Sequence, residues 1–114
     1  MPLKEMSKED QEIVLQCMRA IAEGDDIDDW EFHARLGIER PTLKRIILRW
    51  PDLDDRKQDS DEFLAINNCM NEICHGIRLT AEKWSNWFTR PRDAVEQVYR
   101  NWLRLGGQTR GGIR

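Results

Sequence analysis

The chain of 114 residues is long enough to bury a core of its own without disulfide or metal staples. Charged residues make up 34% of it and mean hydropathy is -0.73, yet five Trp, three Phe and regularly spaced Ile, Leu and Val exclude a disordered chain. No apolar run approaches the roughly 18 residues of a membrane span, and the net charge of -3 is divided unevenly, with 10 Lys and Arg against 18 Asp and Glu in residues 1–77 and 8 against 3 in residues 78–114. Any partner is therefore expected to meet a polarised surface.

In chain order, Ser7 followed by Asp10 reads as a helix N-cap, and Val14, Met18 and Ile21 fall at helical spacing, predicting a helix over residues 8–23. Gly24 is expected to end it in a left-handed conformation. Asp28, with Glu31 three residues on, opens a second helix whose apolar residues are Trp30, Phe32 and Leu36, and Gly37 stops it. Pro41 suits the first turn of a third helix, with Leu43, Ile46, Ile47 and Trp50 facing inward and Pro51 closing it. The polar, Asp-rich stretch 52–61 reads as a linker. Ser60 or Asp59 caps a fourth helix carrying Phe63, Ile66, Met70, Ile73 and Ile77. Thr80 starts a fifth with Trp84, Trp87 and Phe88, and Pro91 a sixth with Val95, Val98, Tyr99, Trp102 and Leu105. Nothing alternates with period two for long enough to make a strand.

The first and second halves carry one pattern. Shifting by 52 positions lays Cys17 on Cys69, Met18 on Met70, Ile21 on Ile73, Gly24 on Gly76, Phe32 on Trp84, Ile46 on Val98 and Trp50 on Trp102. The expected fold is all-α: two tandem three-helix, helix-turn-helix-like repeats packed into one compact domain. Residues 1–55 form the first repeat, 56–105 the second and 106–114 a glycine-rich tail.

Two constellations bear on function. Glu23, Asp25, Asp26, Asp28, Asp29 and Glu31 crowd six acids and no base into nine positions, more than helix capping requires. Such a segment suits a protein partner with a basic groove, the carboxylates standing in for phosphates. A solubilising loop is the plain alternative. Residues 29–48 also fit a helix-turn-helix, and Arg40, Thr42, Lys44, Arg45 and Arg49 on its following helix are the residue types that touch phosphates and base edges. The plain alternative there is a packing unit with solvated charges, and the acidic segment would repel DNA. Asn67, Asn68, Asn71 and Glu72 form a polar cluster inside the fourth helix, expected either to bond the facing repeat or to touch a partner.

Cys69, Cys74 and His75 do not make a metal site, because residues five apart on a helix diverge and no fourth ligand stands at a recognised spacing. The two histidines belong to no nucleophile, base and acid ordering, and no phosphate-binding glycine loop is present, so no enzyme, cofactor or small-molecule ligand is expected. An odd number of cysteines in helical stretches suits free thiols in a reducing compartment, and Met1 to Asp10 contains no signal-like apolar run, so the expected location is cytoplasmic.

Two segments, Asn71-Glu72-Ile73-Cys74-His75-Gly76-Ile77 and Asp29-Trp30-Glu31-Phe32-His33-Ala34-Arg35-Leu36-Gly37, resemble motifs of small bacterial immunity proteins from toxin–immunity loci, including those of contact-dependent growth inhibition. The resemblance implies a cytoplasmic, non-enzymatic protein that binds one cognate toxin, commonly a nuclease, and blocks its active site. It assigns no individual contact residues.

Overall fold

The computed structural model describes residues 1–106; most of the expected tail, residues 107–114, lies outside them. The described residues form seven α-helices and no strand: α1 (Pro2–Glu5), α2 (Lys8–Glu23), α3 (Asp29–Leu36), α4 (Arg40–Leu48), α5 (Asp61–Asn71), α6 (Ala81–Trp87) and α7 (Arg92–Arg104). A π-helical turn, Glu72–Gly76, continues α5. The all-α class read from the sequence is the one observed.

Local chemistry sets the boundaries. The N–H of Asp10 donates to Ser7 Oγ at 3.0 Å, that of Phe63 to Ser60 Oγ at 3.2 Å and that of Lys83 to Thr80 Oγ1 at 3.2 Å, each satisfying an orphan donor of a first turn. Asp28 occupies the cap position of α3 but makes no side-chain cap bond, and Glu31 turns to Arg35, so the expected capping box does not form. Gly37 does adopt the left-handed conformation, with φ 76°. Gly24 does not: its backbone is extended, and glycine is needed there because a Cβ would stand 2.5 Å from the carbonyl oxygen of Ala20.

Helices α2 and α5 pack together at the centre. Around this pair α3 lies on α5 and α6 on α2, while α4 packs on both α2 and α5 and α7 on both α2 and the turn after α5. Val14, Cys17, Met18, Ile66, Cys69 and Met70 fill the seam with no exposed surface, and Phe32, Leu36, Leu43, Val95 and Trp102 close it from the flanks. The sequence did not reveal α1, whose Leu3 is buried and whose first turn is held by Asp55: the Leu3 N–H donates to Asp55 Oδ2 at 2.8 Å. A residue read as linker is thus among the most buried carboxylates. Trp30 was expected on the inner face of its helix and is instead 82% exposed, because Phe32 and Leu36, four residues apart, already fill the inward stripe of so short an element. Trp50 was also expected in the core and is only half-buried, just past the end of α4.

The contrast between the two tryptophans is measurable. Trp102→Ala, removing a fully buried ring that packs on Phe63 at 5.5 Å, is expected to cost about 3–5 kcal/mol in chemical denaturation. Trp50→Ala is expected to cost about 1–2 kcal/mol, since part of its ring is already in water.

Candidate functional site

The acidic segment spans the end of α2, the loop after it and the first turn of α3. Its carboxylates are not all free. Lys83 of α6 reaches across from the other half and donates to Asp25 Oδ1 at 3.2 Å and Asp26 Oδ1 at 3.1 Å. That hydrogen bond and charge hold the Asp25 carboxyl below its ordinary pKa, and the Asp26 and Asp25 carboxylates in turn raise that of Lys83. Asp29 Oδ1 accepts from Arg40 Nε at 2.8 Å, and Glu31 lies 3.9 Å from Arg35. Glu23 and Asp28 are exposed and carry no ion pair or side-chain hydrogen bond among the described residues. Asp25 and Asp29 keep side-chain exposures of 89% and 87%, so they remain open to a partner while paired. Trp30 projects from the middle of this surface.

The residues read as possible DNA contacts meet different fates. Arg40 is turned inward: Nη1 donates to the carbonyls of Ile21 and Ala22, both at 3.0 Å, and of Gly24 at 3.3 Å, while Nη2 donates to that of Ile27. Its guanidinium also lies 4.4 Å from the centre of the Phe32 ring. Arg40 therefore seals the C-terminus of α2 and offers nothing outward. Arg49 Nη2 is 3.0 Å from Glu62 Oε2, and Arg45 donates to Thr42 Oγ1 at 3.2 Å while staying exposed. Lys44 is exposed beside Glu23, Ile47 and Leu48.

Asn67, Asn68 and Glu72 of the polar cluster are internal structure, while Asn71 is exposed and accepts from the Tyr99 hydroxyl at 3.3 Å. Trp102 Nε1 donates to Asn67 Oδ1 at 2.9 Å, Asn67 Nδ2 to Asn68 Oδ1 at 3.1 Å, and Asn68 Nδ2 to the Leu36 carbonyl at 2.8 Å. This relay ties α7 to α3 through α5. Glu72, buried beside it, receives two bonds from Arg35 of the facing half, one of them at 3.3 Å from Nε. Gly76 makes this possible, because a Cβ there would stand 2.0 Å from the Glu72 carboxylate.

Among the described residues no group of His, Cys, Asp and Glu is placed to hold a metal ion, and no helix is long and apolar enough to cross a membrane. Burial raises the thiols of Cys17 and Cys69 far above the ordinary range and that of Cys74 to about 11, the Glu96 charge adding to it. No family model, curated protein or solved structure matches the chain. The class to which the site and fold belong is thus defined by geometry alone: an all-α bundle with an acidic, aromatic-bearing edge.

Two outcomes follow from these positions. Arg40→Ala leaves several main-chain carbonyls unpaired and is expected to cost about 2–4 kcal/mol in urea unfolding, whereas an arginine held out for phosphate would be removed at no cost in stability. Alkylation by iodoacetamide at pH 8 is expected to modify only Cys74 in the native protein, roughly 100-fold more slowly than a free thiol, because a pKa of about 11 leaves little thiolate at that pH. The rate should climb as pH rises toward 11, and all three cysteines should react at once after denaturation.

Proposed function

We propose that the protein binds and neutralises a protein partner, a basic nuclease toxin in the manner of an immunity protein, by covering its active site or basic groove. The observation that carries the reading is Trp30, 82% exposed and set between Asp29 and Glu31 in a segment of six carboxylates. A solvent-exposed indole costs a soluble protein hydration free energy with no return in the fold. Trp is among the residues that anchor protein interfaces. Carboxylates around such an anchor steer a basic surface into place and exclude other partners. Occlusion by a rigid helical edge needs no chemistry on this chain.

The partner is sought first as the product of the adjacent gene, by stoichiometric co-purification. Against it, replacing Asp25, Asp26, Asp28 and Asp29 together by Asn is expected to slow association several-fold and flatten its salt dependence, with dissociation nearly unchanged. Trp30→Ala is expected to do the reverse, accelerating dissociation by tenfold or more, as loss of about 2 kcal/mol at an anchor would. Both variants should keep their melting temperatures within a few degrees, since Trp30 is exposed and Asn keeps an oxygen acceptor for Lys83 and Arg40, whose ion pairs with these carboxylates lie mostly at the surface. The DNA-reading alternative predicts the opposite sign: removing four negative charges beside α4 would tighten binding to duplex DNA.

A further inference from the structure

A well-formed groove lies away from the acidic segment. It encloses about 500 Å³ between the start of α2 and α7, floored by Ile13, Ala94 and Val98. A second groove, of about 390 Å³ and lined by Thr42, Arg45, Ile46, Arg49, Asp61 and Glu62, lies between α4 and α5. Each of these six residues stands 52 positions from one that lines the larger groove. The pair of grooves is therefore one construction seen twice.

Their contents differ in one respect. In the smaller groove Arg49 Nη2 lies 3.0 Å from Glu62 Oε2, so the guanidinium meets the acidic wall. In the larger groove the matching carboxylate is Asp10 and the matching arginine is Asn101, whose Nδ2 donates to Asp10 Oδ2 at 3.2 Å. Gln97 stands where the smaller groove has Arg45, and it is bonded to Asn101 at 3.0 Å. Arg104 Nη2 donates to the Asn101 side-chain Oδ1 at 3.4 Å and Arg100 Nη2 to Gln97 Oε1 at 2.9 Å, so the arginines nearby meet the amides and form no ion pair with Asp10 among the described residues. Glu9 and Glu12 line the same wall without an ion pair among the described residues, against Lys8 and Arg90 at the edges. The wall is thus built as in the smaller groove, with the guanidinium that meets Glu62 there replaced by a short amide at Asp10. A neutral amide does not neutralise Asp10, and the apolar floor of Ile13, Ala94 and Val98 suits a methylene stem.

We infer that the α2–α7 groove binds an arginine side chain supplied by a protein partner, the guanidinium paired with Asp10 as Arg49 is paired with Glu62. This inference is independent of the role given to the acidic segment, which lies on other residues. The geometry of the smaller groove sets the pose, with the stem along Ala94 and Val98 and the planar head against the Asp10 carboxylate.

The test uses the full chain, 15N-labelled, with two probes: the N-acetyl, N-methylamide derivatives of arginine and of citrulline, its neutral isostere. Arginine derivative is expected to shift the amide signals of Ile13, Thr89 and Asn101 saturably, with a millimolar Kd, and citrulline derivative to bind about tenfold more weakly or less, the loss of one charge-assisted contact. Asp10→Asn should weaken the arginine probe to the level of citrulline. Asn101→Arg should abolish its binding, because the chain then supplies the guanidinium itself, and the dispersed spectrum of that variant shows that it has folded. Equal response to both probes, undiminished binding to Asn101→Arg, or no shift at about 50 mM probe would each overturn the inference.

Discussion

A helix buried at the centre of a bundle must find partners for its last carbonyls, and in this protein that requirement is met twice by an arginine. Arg40, opening α4, donates to the carbonyls at the end of α2, and Arg92, opening α7, donates to that of Ile73 at 3.0 Å in the turn after α5. Each guanidinium also lies over an aromatic ring, Arg40 over Phe32 at 4.4 Å and Arg92 over Trp84 at 4.6 Å. A positive charge at a helix C-terminus opposes the dipole as well as filling the lone pairs. Without these two residues, the last carbonyls of α2 and of the turn after α5 would lose their side-chain partners, and their packing would be weakened.

The two halves are then locked by reciprocal amides. Gln16 of α2 both donates to Thr89 Oγ1 at 3.1 Å and accepts from the Thr89 N–H at 3.2 Å, beyond the end of α6. Asn68 of α5 donates to Leu36 at the end of α3. With the Arg35–Glu72 pair, these bonds run from one half to the other, so buried polar groups fix which helix lies on which. An apolar seam alone would tolerate sliding by a turn. Asparagine is a poor helix former, and its concentration in α5 reflects this demand for placed hydrogen bonds.

What was legible in the sequence was local. Ser7, Ser60 and Thr80 announce their helices because a cap lies three residues from the donor it satisfies. Trp30 misled, since in an eight-residue helix the apolar spacing admits more than one inward face. Arg40 misled for another reason: its position shows where the backbone is, and the tip of a long side chain travels to carbonyls up to 19 residues away. The pairing of Lys83 with Asp25 and Asp26, 58 and 57 residues distant, exists only once α6 has packed on α2. The 52-position shift relates the linings of the two grooves, yet nothing in the chain showed that either exists, because a groove is made by what two elements fail to fill.

The exposure of Trp30 has an optical consequence. An indole in water emits at longer wavelength than one enclosed by hydrocarbon, and an aqueous quencher reaches it first. Trp30 at 82% exposure and Trp102 at 0% therefore sit at opposite ends of the protein's own fluorescence, with Trp50, Trp84 and Trp87 between them. Light emitted at the red edge reports what touches the acidic segment, while light at the blue edge reports whether the bundle is intact. One unlabelled sample thus separates an encounter at its surface from the loss of its interior.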